Sequence, residues 1–224
     1  MQVAQDKKSK EGRMWQVFCR RSIIPECEEH YCMESMINFG GHDWRVLDRK
    51  DNNMLIMADK VLELRPFHAY APGEDIHSAI KWNNCKARDY LNSAFLSRFS
   101  AEENARIIES HVKTEANVWY ETSSGGDTHG RVFLLSIEEV VKYLGDGKDV
   151  TKKAGKRGGV LNDSSNAKRQ AVSLDSKTTS WWLRSPGSYD TFAALVNTEG
   201  GLAIGGMSVD LEEAGLRPAI WIKE

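Results

Sequence analysis

Cysteine is scarce in this sequence and stops early. The chain has four, Cys19, Cys27, Cys32 and Cys85, and no C-x-x-C pair. The carboxy-terminal half therefore offers no thiol nucleophile and no thiolate metal pair. Cys27, His30 and Cys32 come nearest to a zinc set. Their spacing matches no common zinc module, so free thiols in a reducing compartment are the simpler reading.

A charge excess is missing too. Lys plus Arg is 30, Asp plus Glu is 32, and the net charge is -2. A nucleic-acid binder normally carries a basic surplus, so nucleic acid is not an expected partner. No apolar run approaches the ~18 residues of a membrane span. The basic amino terminus leads into no apolar stretch or small-residue cleavage site, so it does not read as a secretory signal. The expectation is a cytoplasmic chain, or one that reaches a virion or cell surface by another route.

Catalytic groupings are also lacking. The six histidines are scattered, with no pair at i, i+4 and no H-E-x-x-H. Glu138-Glu139 and Glu212-Glu213 are adjacent, and adjacent side chains point apart, which does not suit shared acid–base work. The expectation is a protein that is not an enzyme.

What is present is enough apolar residue for a core, 41% of the 224-residue chain, with seven tryptophans. Residues 1–36 are polar and mixed apart from Met14, Trp15, Val17 and Phe18, and read as an extension. Residues 37–224 read as one domain. Two apolar runs, 39–48 and 54–58, flank Asp51-Asn52-Asn53 and predict a hairpin, which 61–64 prolongs as far as Pro66. Ala87, Tyr90, Leu91, Ala94 and Phe95 repeat at helical spacing. Ser100 and Glu103 form a capping box for a second helix, with Ile107 and Ile108 as its buried edge. Residues 132–135 read as a short buried strand. Ser136 with Glu139 opens another helix that Gly145 ends.

From 146 to 180 the texture turns to Gly, Ser, Asn and Lys, and predicts a long polar insertion. Gly155-Lys156 lacks the frame of a phosphate-binding loop. The last 44 residues are almost all β: 181–184, 192–197, 202–204, 207–209 and 215–222 read as strands, with a bulge or turn at Gly205-Gly206. Helices before a run of strands indicate α+β.

Arg184 and Arg217 sit beside turns in apolar strands, where a guanidinium's five donors suit clamping carbonyls or a carboxylate. Trp44, Trp181, Trp182 and Trp221 lie in apolar strands and read as core. Between these frames, 187–214 carries Ser188, Tyr189, Asp190, Thr191, Phe192, Asn197, Ser208 and Asp210. Aromatic area at low entropic cost beside adaptable hydrogen-bonding groups is the composition of a recognition surface. Calcium has candidate donors in Asn197, Glu199, Asp210, Glu212 and Glu213 but no calcium-loop motif; otherwise no cofactor is expected.

Phe39-Gly40-Gly41-His42-Asp43-Trp44-Arg45-Val46-Leu47, Phe133-Leu134-Leu135-Ser136, Trp181-Trp182-Leu183-Arg184-Ser185-Pro186-Gly187 and Gly215-Leu216-Arg217-Pro218-Ala219-Ile220-Trp221 together carry a resemblance. They resemble a bacterial and phage domain family of uncharacterised function. Its members look related to the C-type-lectin-like fold of diversity-generating-retroelement variable proteins and of the formylglycine-generating enzyme. The resemblance spans about 37–222. It implies two or three helices packed on antiparallel hairpins, and sequence variation over 187–214. The implied function is non-enzymatic recognition of a protein or glycan.

Retroelement mutagenesis alters adenines, typically in asparagine codons. It reaches Ser, Tyr, Asp, Thr, Phe and Asn, as at the eight candidate positions. It does not reach the residues at Met207, Glu199, Glu212 or Glu213. The enzymatic relative needs a carboxy-terminal cysteine pair for copper, which this chain lacks. The rival expectations are a metal-dependent enzyme of that sulfatase-modifying type and a phage or surface assembly module.

Overall fold

In the computed structural model, residues 35–145 and 159–224 are described. The apolar cluster around Trp15, the Cys27–His30–Cys32 set and residues 146–158 lie outside them.

Asp51 and Asn52 adopt φ of 50° and 62°, the mirror-image turn that Asp and Asn tolerate. The turn joins β2 (His42–Lys50) to β3 (Asn53–Ala58), with Lys50 opposite Asn53. The run from Phe39 is not one strand. Gly40 and Gly41 make a second turn, closing β1 (Met36–Phe39) on β2. The Gly40 N–H donates to the Glu103 carboxylate at 2.9 Å. A Cβ there would fall 2.3 Å from the Phe99 ring. Residues 61–64 do not prolong β3. They leave for another sheet, where β4 (Glu63–Leu64) pairs with β12 (Ala214–Leu216).

The stripe over 87–95 forms α1 (Lys86–Tyr90), which runs on as a π turn (Leu91–Phe95) and a 3-10 turn (Leu96–Arg98). Ala87, Leu91 and Phe95 are buried, but Ala94 is exposed, because the wider π turn rotates it off the stripe. Both capping boxes form, starting α2 (Ala101–Arg106) and α3 (Ile137–Leu144). Ile107 and Ile108 leave the helix as β5 (Ile107–Ile108), paired with β13 (Ala219–Lys223). Residues 132–135 are buried but make only one bridge, Phe133 to Ala219. Their hydrogen-bonding groups go largely to Asn92, Arg184 and Ala219.

The predicted insertion is knit into the domain over its described part. It provides β8 (Val160–Leu161), α4 (Asn166–Arg169) and bridges from Val172 and Ser173. Arg169 is fully buried, because its guanidinium meets Asp163 at 2.6 Å and the Gly200 carbonyl at 2.7 Å.

The architecture is α+β. A five-stranded sheet runs β1-β2-β3-β13-β5, and a six-stranded sheet runs β4-β12-β9-β10-β11-β8. Here β9 is Ser180–Pro186, β10 is Phe192–Val196 and β11 is Leu202–Ser208. A small pair, β6 (Ser110–Val112) and β7 (Thr128–Gly130), stands apart. The β12–β9 pairing is parallel, an exception to the antiparallel hairpins expected. Among the described residues no helix is long and apolar enough to cross a membrane.

Trp44, Trp181 and Trp182 are fully buried, and their indole N–H groups donate to the carbonyls of Phe39, Arg169 and Arg65. Trp221 departs from the core expectation and is only partly buried. Arg217 stands where the chain steps from β12 to β13. It donates to the carbonyls of Ala58 and Asp59, both at 2.9 Å, and lies over the Trp181 ring. One side chain thereby ties the end of β3 to the other sheet.

Candidate binding surface

β9 leaves the core at Pro186, and β10 re-enters it at Phe192. The link between them is held by backbone bonds. Gly187 N–H donates to Phe192 O at 2.8 Å, Phe192 N–H to Tyr189 O at 3.0 Å, and Ser188 N–H to Gly205 O at 2.7 Å. A neighbouring loop, 65–81, grips it from outside: Ile80 N–H donates to Asp190 O at 2.8 Å. Val209 N–H donates to Thr191 O at 3.0 Å, and Val209 O accepts from His68 N–H at 2.8 Å. Fixed backbone with free side chains is how a rigid scaffold presents contact residues.

Tyr189 is 66% exposed, and its ring meets Phe192 edge-on at 5.2 Å. Phe192 lies directly across from Ser208, so the two share a face of the hairpin. Ser208 Oγ donates to the Asp210 carboxylate at 2.5 Å. Tyr189, Phe192, Ser208 and Asp210 are thus gathered at one end of the sheet. Met207 pairs with Ala193 and projects from the opposite face, 46% exposed.

Asp190 is more scaffold than surface. Its carboxylate sits 2.8 Å from the Lys81 ammonium, an ion pair without hydrogen-bond alignment. Lys81 is 7% exposed and Asp190 is 64% exposed, so a nearly buried cation depends on a counter-ion from the loop. Thr191 contributes its carbonyl. Asn197 lies at the far end of β10, about 16 Å away at ~3.3 Å per strand residue. Its Oδ1 accepts the N–H groups of Glu199 and Gly201, which shapes the β10–β11 turn. It does not join the others. The calcium candidates divide the same way, Asn197 and Glu199 at one end and Asp210, Glu212 and Glu213 at the other. Among the described residues no group of three His, Cys, Asp or Glu side chains is placed to hold a metal ion.

Two contributions were not read from the sequence. Asn117 is buried under the hairpin, and its amide donates to the carbonyls of Pro186 and Ile204, both at 2.8 Å. Loop 65–81 brings Tyr70, whose hydroxyl pKa is raised by burial and then by the carboxylates of Asp210, Glu74 and Asp75. That loop also exposes Ile76, at 59%. A long structureless stretch with apolar residues among Pro and Gly was the available signal.

Arg184 underpins the site. It donates to the carbonyls of Leu134 and Lys113 and forms a two-pronged pair with Glu139. Cys85, the one cysteine among the described residues, is buried, and burial pushes its thiol up to about 12. Such a thiol is inert.

The family described as "Domain of unknown function (DUF6273)" matches residues 51–224. This chain belongs to that family. The match begins in the β2–β3 turn and takes in the whole candidate surface of the DUF6273 domain. No curated protein and no solved structure matches the chain.

Proposed function

We propose that this DUF6273 domain is a non-enzymatic binding protein. It presents Tyr189, Phe192, Ser208 and Asp210, flanked by Tyr70, to a protein or glycan partner. In this reading the two sheets form a C-type-lectin-like scaffold. The chain is then a retroelement variable protein or a fixed paralogue of one.

The observation that carries the reading is the contrast at residues 187–192, where a backbone bonded to three neighbouring segments leaves Tyr189 in water. A rigid aromatic held outward brings contact area at small entropic cost. The placement of Met207 supports the retroelement part. Adenine mutagenesis of asparagine codons does not produce methionine, and Met207 is on the face away from Phe192 and Ser208.

The test is tolerance. Codons 188, 189, 208 and 210 are randomised in one library, and 184, 187, 193 and 206 in another. Most clones of the first should resist protease as the parent does, and most of the second should not. A first library that loses folding as badly as the second would overturn the proposal. Sequencing the gene's surroundings gives an independent check: a near-copy of codons 187–214, differing only at adenines, is the expected result for a diversified protein.

A further inference from the structure

We infer a second binding site, on the other sheet, that takes a single neutral sugar ring. A shallow cleft of about 220 Å³ opens at the hairpin end of the five-stranded sheet, lined by Lys50, Asp51, Asn53, Ile108, Ser110 and Trp221. The register explains the assembly. Lys50 and Asn53 face each other across the β2–β3 turn, and Trp221 of β13 lies between Leu55 and Ile108. Cross-strand partners project to the same side. Trp221 and Ile108 therefore form an apolar floor, with the polar groups at its edge.

The walls are held in place. Asn53 Nδ2 donates to Asp51 O at 3.1 Å, and Glu224 N–H donates to Asn52 O at 3.1 Å. Arg106 donates twice to Lys223 O, at 3.1 and 2.9 Å. Of the functional groups, the Ser110 hydroxyl donates to Ile108 O at 3.4 Å and the Asn53 amide nitrogen is held as above, while the rest are uncommitted. Among the described residues Lys50 and Asp51 have no ion pair, and neither the Trp221 indole N–H nor Asn53 Oδ1 has a hydrogen-bond partner. Trp221 is the one strand tryptophan of the four left partly open, whereas the buried three each place their N–H on a carbonyl.

Three features select the ligand class. The volume is below the ~300–1,000 Å³ of drug-sized pockets and suits one six-membered ring. The lining combines an aromatic plane with one ammonium, one carboxylate, one amide and one hydroxyl, so donors and acceptors are both offered. A pyranose matches this set, having an apolar C–H face and an edge of hydroxyls that each donate and accept. One cation and one anion leave no net charge to favour a phosphate or a carboxylate.

The test is saturation-transfer NMR on the full chain with methyl glucoside, galactoside, mannoside and N-acetylglucosaminide, each at millimolar concentration. At least one should receive saturation on its ring protons. Asn53→Ala and Lys50→Ala should each weaken that sugar about five- to tenfold, as for one lost hydrogen bond. Trp221→Phe should weaken it further, and thermal melts confirm that the variants fold. Tyr189→Ala should change nothing, which separates this site from the surface proposed above. Absence of transfer from all four sugars overturns the inference. So does an affinity that Asn53→Ala and Lys50→Ala leave unchanged, or transfer that Tyr189→Ala abolishes.

Discussion

The two ends of the β10–β11 hairpin are built from similar residues and behave oppositely. At one end, Asn197, Gly200 and Gly201 shape a turn that another segment covers. A Cβ on Gly200 would fall 1.9 Å from the Asn166 carbonyl oxygen, and Arg169 donates to Gly200 O. At the other end, Ser188, Tyr189 and Ser208 are equally well bonded through their backbone, yet none of the described residues covers Tyr189, which is 66% exposed. A polar hairpin end is thus locked or available according to what packs on it, and residue type alone does not distinguish the two.

Breaking the locked end should cost most. Arg169→Met would remove the buried guanidinium from Asp163, Asn166 and the Gly200 carbonyl, with a loss of about 3–5 kcal/mol in urea denaturation. A loss below ~1 kcal/mol would show the covering segment to be dispensable. Gly200→Ala should follow. Its φ of 80° and the close Asn166 backbone predict at least about 2 kcal/mol of destabilisation. An unchanged melt would mean that α4 shifts freely. Asp190→Asn tests how far the available end is itself a scaffold. Removing the Lys81 counter-ion should cost about 1 kcal/mol, small because Asp190 is mostly exposed. Tyr189→Ala should cost least, within about 0.5 kcal/mol. A Tyr189→Ala penalty as large as that of Gly200→Ala would make the two ends alike and remove the contrast.

Several elements were legible because their signals are local. Asp51-Asn52 called for a mirror-image turn, and the Ser100–Glu103 and Ser136–Glu139 boxes marked helix starts within a four-residue window. The errors lie where a remote segment decides. Ile107 and Ile108 continue a helical stripe by spacing, but β13, more than a hundred residues on, captures them as a strand. Residues 159–180 looked like a solvated loop because they hold few large apolar groups. Arg169 draws them in through charge and hydrogen bonds, which hydropathy does not register.

The candidate surface was half legible. Tyr189, Phe192, Ser208 and Asp210 come together, because β10 and β11 are neighbouring strands whose ladder, shifted between Ala193 and Leu195, sets Phe192 opposite Ser208. Asn197 shares their chemistry and sits at the wrong end. Lys81, Tyr70 and Asn117 arrive from distant parts of the chain with no local pattern to announce them.

Residue order alone determined the turns, the caps and the apolar runs that assign Trp44, Trp181 and Trp182 to the interior, since these depend on backbone sterics and neighbours a few positions away. Tertiary structure decided that Tyr189 and Trp221 stand partly in water while Gly200 and Arg169 are enclosed. Exposure is a property of what packs against a side chain, and here the packing partners are tens to hundreds of residues away.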